Sequence, residues 1–311
     1  MLNQLPKQYA FSKSLIQAQQ LGAPIVALES AVITHGLPHP ENLNLALDME
    51  SIVRKQGANP ATVALLEGKI HIGLTETQLN KLSKMEDTRK ISVRDFGIAL
   101  AGSLSGGTTV GATLFVAEQA GIRVFATGGI GGVHRNAPFD VSADLIQLGK
   151  SPVLVVCAGV KSILDLPATR EVLETQGVPV IGYQTDEFPA FYTRKSGLTV
   201  DQRVETPDEA AQIALQAWEA GLRSAILLLV PPPDEDALPA DVMENAIQNA
   251  LAEAEQLGIH GSATTPFLLN RVSALTGGES LRANLSLLRN NARLAAQVAV
   301  AMGTLGKIRP V

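Results

Sequence analysis

A single cysteine, Cys157, stands in 311 residues, so no intrachain disulfide framework can hold this chain together. Its setting in the apolar run VLVVC predicts a buried small hydrophobe rather than a catalytic thiol, and fits a reducing compartment. Positive charge is not in excess either: 25 Lys and Arg against 30 Asp and Glu leave a net charge of -5, with no electrostatic footprint for nucleic acid. No uninterrupted apolar run approaches the ~20 residues of a membrane span. The segment MLNQLPKQYAFSKSLIQAQQ lacks a basic region followed by an apolar one, so a cytoplasmic protein without membrane or nucleic-acid partners is expected. Internal repeats, low-complexity tracts and the standard spacing of a histidine metal site (His35 and His39 sit among prolines) are absent as well.

What is present is ordinary for an α/β protein: 46% hydrophobic and 18% charged residues in a chain long enough to bury a large core. Apolar bursts (PIVALES, ATVALLEGKIHIG, VFATGG, PVLVVCAG, VPVIGY, SAILLLVPPP) alternate with amphipathic stretches over residues 42–57, 75–84, 207–220, 240–257 and 281–303. That rhythm predicts one catalytic α/β domain over 1–311, a mostly parallel central sheet flanked by helices as an α/β/α sandwich. VPPPDEDALPA reads as a surface or active-site loop, because consecutive prolines cannot join a ladder.

Lys161, in VLVVCAGVKSILDL, is expected straight after a strand and directly before a helix, where α/β sheets collect ligands. A partly desolvated amine there is either a Schiff-base nucleophile or a phosphate clamp. Glu29 ends the apolar strand of ALESAVITHG, and is either half of an ion pair or an acid with a raised pKa. In TRKISVRDFG Lys90, Arg94 and Asp95 alternate with Ile91 and Val93, as in a strand with one polar face, which reads as a phosphate or ion-pair site or as a solvated edge strand. Gly106, Gly107, Thr108 and Thr109 are expected to open a helix as a phosphate cradle, though the spacing matches neither a Walker loop nor a dinucleotide fingerprint. In GGIGGVHRNAPFDVSADL, Asp140 and Asp144 could share a hard divalent ion, or cap the next helix. Asn284, Asn290 and Asn291 on late helices are candidate readers of a base or sugar edge.

Taken in order, ALESAVITHG, RKISVRD, GGTTVGAT, GGIGGVHR, FDVSADL, VCAGVKSILDL, TPFLLNRV and LTGGESLRANL resemble the pseudouridine-5'-phosphate glycosidases from about Pro24 to the last helix. The stretch ahead of FDVSADL is slightly short for that pattern. The resemblance implies reversible cleavage of the C–C glycosidic bond of pseudouridine 5'-phosphate, a nucleotide C-glycoside, to uracil and ribose 5-phosphate. It also implies a carbon-oxygen lyase (hydro-lyase) classification, a Mn2+ ion and a homotrimer. By the same resemblance Lys161 is the nucleophile and Glu29 the acid. Lys90, Val110, Ser142, Ala143 and Asp144 hold substrate, Asp140 takes the metal, and Thr108, His134 and Asn284 contact phosphate or base. A carbon leaving group explains the lysine, since ordinary glycosidase chemistry protonates a heteroatom. A sugar-phosphate aldolase, for which a closed eight-stranded barrel is the common frame, and a non-catalytic ribose-phosphate-binding module are the rival readings.

Overall fold

Val153 to Cys157 is apolar at every position, the pattern of a strand buried on both faces. In the computed structural model Leu154–Cys157 accordingly runs between two parallel neighbours with every residue buried. The structure describes residues 6–308 except 136, 260, 262 and 263. The strands are β1 (Tyr9–Phe11), β2 (Ile25–Leu28), β3 (Asn59–Leu66), β4 (Lys69–Ile72), β5 (Arg89–Ile91), β6 (Gly106–Thr108) and β7 (Val124–Ala126). They continue as β8 (Val133–His134), β9 (Ala137–Val141), β10 (Leu154–Cys157), β11 (Leu164–Asp165), β12 (Val180–Tyr183), β13 (Gln202–Val204) and β14 (Ile226–Leu229). The helices are α1 (Lys13–Gln20), α2 (Glu41–Lys55), α3 (Glu76–Ser83), α4 (Phe96–Ala101), α5 (Val110–Gln119) and α6 (Ala143–Leu148). After them come α7 (Leu166–Thr175), α8 (Pro207–Glu219), α9 (Ala240–Gln256), α10 (Thr264–Leu275) and α11 (Glu279–Ile308).

The main sheet is open, ordered β1-β4-β3-β2-β7-β10-β14-β12-β13, with β6 also on β3 and β5 on β6. From β3 to β13 every pair is parallel, while β4 and β6 join β3 antiparallel. A small antiparallel sheet, β11-β8-β9, stands apart. The chain leaves β2 for β3 on one side, then returns as β7 on the other, so the order reverses between β2 and β7. Right-handed crossovers in opposite directions put their helices on opposite faces. Consistently, α11 packs with α2 and α8 across β2, β7 and β10, while α5 packs with α6. The main apolar core draws on residues from Leu15 to Met302, and a smaller cluster around Ile33, Leu66, Leu79 and Leu82 lies beside α2 and α3. No helix among the described residues is long and apolar enough to cross a membrane.

Local chemistry sets the joints. Glu67 and Gly68 both have positive φ, 51° and 72°, which closes the β3-β4 hairpin in two residues. α3 begins with a capping box from Thr75 and Gln78. Three expectations change. Only Arg89–Ile91 of TRKISVRDFG is a strand; Asp95 turns back onto the Ser92 amide (3.0 Å) and holds Arg89, making Val93–Asp95 a 3-10 turn. Gly106–Thr108 is a strand, not a helix start: a side chain at Gly106 would collide with the Arg89 carbonyl, and α5 starts at Val110 with Thr109 as its cap. The helix after Lys161 begins only at Leu166, because residues 162–163 form a turn and β11 intervenes. The periodicity also gave no expectation of α1, α10 or β13, and it stopped short of the full length of α11.

Candidate active site

The reversal between β2 and β7 opens a crevice beyond the carboxyl ends of the strands, the usual ligand position in such sheets. Glu29 immediately follows β2, Lys90 lies in β5, and Lys161 follows β10 by four residues. All three line both of two adjoining chambers. One, of about 360 Å³, is polar, with Arg94, Val110, Ser142, Asp144, His134 and Asp140 in its wall. The other, of about 60 Å³, is walled mainly by Val32, Phe191, Pro266, Leu269 and Leu288, with Asn284, His35 and Thr265 as its further polar members, Thr265 standing in the wall of both chambers. A larger cavity of about 600 Å³ lies beside Ser162, Arg135 and Glu244, but none of the three converging groups reaches it.

Lys161 owes its position to backbone pairing that continues past the ends of β7 and β10. Ala158 donates to Gly128 O at 2.9 Å, and Lys161 N–H to Ile130 O at 3.1 Å. Between them Gly159 takes φ +97°, and a side chain there would strike the Pro189 carbonyl. Glu29 accepts a short hydrogen bond from the Thr127 hydroxyl. Burial holds the Glu29 carboxyl above the usual carboxylate range, opposed by Lys161, then the Thr127 hydrogen bond, and reinforced by Asp144. Lys90 is held below the usual lysine range by burial first and by the Lys161 charge second. His35 donates Nε2–H to the Thr88 carbonyl (3.1 Å), which leaves Nδ1 to accept from Thr34 at 2.6 Å. Burial, then Lys90, keeps that imidazole neutral by lowering its pKa.

Asp144 ties the polar chamber together. Its Oδ1 accepts from the Gly111 amide at 2.7 Å in the first turn of α5, and its Oδ2 from Gly131 at 2.9 Å in the glycine loop after β7. Ser142 caps α6 by accepting from the Asp144 amide at 3.2 Å, so neither aspartate is the cap. Val110, Ser142 and Ala143 thus stand at two helix N-termini facing one chamber. Thr108 does not reach it: fully buried, its hydroxyl donates to Val63 O at 2.8 Å, and Thr109 lines the wall instead.

No group of three His, Cys, Asp or Glu suited to hold a metal occurs among the described residues. Asp144 already serves two backbone amides. Asp140 is exposed at the chamber rim and takes no hydrogen bond or salt bridge from a described residue. This donor set fits only a hard ion held by one carboxylate and completed by water and ligand oxygens. Burial lowers the His134 pKa against the pull of Asp140.

Sequence reasoning missed Thr127, Thr265 and Phe191. Thr127, the first residue past β7, bore the same strand-end signal as Glu29. Asn291, a candidate reader of base or sugar, is instead wholly buried and donates Nδ2 to Thr127 O at 2.8 Å.

Residues 14–301 match the family described as indigoidine synthase A like protein. The pseudouridine-5'-phosphate glycosidase of Herpetosiphon aurantiacus is 56% identical over 90% of this chain and 93% of its own. That of Caldanaerobacter subterraneus is 51% identical over 95% and 97%. Among solved structures, the prealnumycin C-glycosynthase AlnA in complex with ribulose 5-phosphate superposes with a TM-score of 0.90 at 39% identity, covering 98% of this chain and 100% of that one. An indigoidine synthase A-like protein of Thermotoga maritima gives 0.86 at 38%, covering 91% and 94%.

Proposed function

The chain belongs to the indigoidine synthase A like family, alongside the pseudouridine-5'-phosphate glycosidases, and from that premise we propose that it cleaves and forms the C–C glycosidic bond of pseudouridine 5'-phosphate. The observation that carries the reading is the convergence of Glu29, Lys90 and Lys161 where a polar and an apolar chamber meet. A sugar phosphate fits the first chamber, with its phosphate toward the N-termini of α5 and α6 and toward Lys90. A flat base belongs at the second, whose volume of about 60 Å³ takes the edge of the ring, with Asn284 beside it.

Glu29 gives its proton to the ribose ring oxygen as the ring opens, and the Lys161 amine bonds to C1'. The nitrogen lone pair then forms an iminium ion as the C1'–C5 bonding pair passes into the uracil ring, which takes a proton at C5. Water hydrolyses the iminium, releasing ribose 5-phosphate and the free amine. Lys90 holds the sugar phosphate. Asp140 would hold a manganese ion, which supplies charge neutralisation of the bound phosphate. A cytoplasmic homotrimer, and assignment as a hydro-lyase working equally as a synthase, belong to the same proposal.

Incubation with uracil, ribose 5-phosphate and Mn2+ should yield pseudouridine 5'-phosphate, and its absence from folded, metal-loaded protein rejects the reading. Borohydride should trap ribose 5-phosphate on wild type and Lys90→Ala but not on Lys161→Ala. The reverse pattern makes Lys90 the nucleophile, a role its lowered pKa would suit.

A further inference from the structure

We propose that Thr127 is a positioning residue that decides which oxygen of Glu29 carries the transferable proton: its hydroxyl donates to Oε1, so the acidic proton is confined to Oε2. The inference rests on the reading of Glu29 as the acid. Thr127 is fully buried and all its polar groups are committed. Its N–H donates to Val156 O in β10 at 3.1 Å, and its carbonyl accepts from Asn291 Nδ2 of α11 at 2.8 Å. The backbone that carries the side chain therefore cannot shift without breaking the end of β7, and burial crowds the side chain itself. Its hydroxyl has no other acceptor among the described residues, so it does not turn round to accept a proton from Oε1. Oε2 takes no hydrogen bond from a described residue, while Glu29 lines both chambers. The proton is thus presented toward the ligand, not toward the sheet.

The charges facing Glu29 are Lys161 after β10, Lys90 in β5 and Asp144 in α6. Thr127 is the uncharged member of that set, and its hydrogen bond favours the carboxylate. Removing it leaves the three charges in place and takes away both the bias and the fixed orientation.

The test compares wild type, Thr127→Val, Thr127→Ala and Thr127→Ser, measuring kcat and KM for pseudouridine 5'-phosphate across pH, with thermal unfolding as a control. Thr127→Val keeps the shape and should lower kcat by roughly 10–100-fold through loss of alignment. The limb of the profile belonging to Glu29 should move up by about one pH unit, and Thr127→Ser should restore both. Should the valine variant not fold, alanine serves in its place. A wild-type profile in the hydroxyl-free variants, or a serine variant as impaired as they are, overturns the proposal. If wild type itself turns over no pseudouridine 5'-phosphate, the functional reading has failed separately. The Glu29 carboxyl titration, followed by carbon-13 NMR against Glu29→Gln, then still decides: the same upward shift without the hydroxyl supports the positioning role, and no shift removes it.

Discussion

Glu29 is a carboxylate that burial makes costly to ionise, although Lys161 and Thr127 offset part of the cost. Because its folded pKa lies above the unfolded value, native protein binds more protons between the two, and stability falls as pH rises through that window. Glu29→Gln should therefore abolish turnover while raising the melting temperature at pH 8. That advantage should shrink as pH falls through the window between the raised value and the ordinary carboxylate value and be absent below it, and a constant difference across pH would contradict the account. Glu50 shares the direction, with burial outweighing its bonds to Thr62 (2.7 Å) and Arg54 (2.6 Å). Lys90 works with the opposite sign: its pKa is lowered, so its contribution improves as pH rises toward the free-lysine value. Cys157, the last residue of β10 and fully buried, has its thiol pushed up to about 12 by burial. Iodoacetamide at pH 8 should leave it unmodified in folded protein and alkylate it in denaturant, as mass spectrometry would record.

At the level of elements, α11 does more than cover the sheet. Its Asn291 satisfies the Thr127 carbonyl at the end of β7, so Asn291→Ala leaves a buried acceptor unpaired and should cost about 1–3 kcal/mol in denaturant unfolding. It should also lower kcat more than it raises KM, since it disturbs the seat of Glu29 and not the polar chamber. In β6, Gly106→Ala should destabilise more than a typical surface change of about 0.5 kcal/mol, because the added methyl meets the Arg89 backbone, which has no side-chain freedom to yield. A soluble but unchanged variant would show that β5 can move aside.

These elements also explain what the sequence disclosed. Long periodic segments such as Pro207–Glu219 and the apolar strands were legible, because periodicity reports burial directly. Three-residue strands were not: nothing in GGT distinguishes a turn from a strand pressed between β5 and β3, since the requirement for glycine comes from chain 17 residues away. Glu29, Lys90 and Lys161 were legible one by one as charges beside apolar runs. Their meeting was not, since it depends on the order of β2, β7 and β10. What Asp144 does was not legible for a related reason, as a carboxylate that accepts backbone amides looks in sequence like one that holds a ligand or a metal.

On the scale of the whole molecule, the site stands at a seam between two halves of a sheet. One half supplies Glu29 and Lys90, the other Lys161 and Thr127, and α11 lies across β2, β7 and β10 beneath them. α11 buries Leu287, Leu288, Ala292, Leu294 and Val298, each fully or nearly so. A chain ending at Gly278 loses apolar burial worth about 1.5–3 kcal/mol for each large side chain, more than ordinary domain stability spares. It should show no cooperative thermal transition and should aggregate in size-exclusion chromatography. A folded, monodisperse truncation would mean that the sheet holds without its cover.

The seam also bears on synthesis. Glu29 is made long before Asn291, whose side chain holds the Thr127 carbonyl behind the Thr127–Glu29 hydrogen bond. The surroundings of Glu29 therefore stay incomplete on the nascent chain until α11 has been made and has docked against β7.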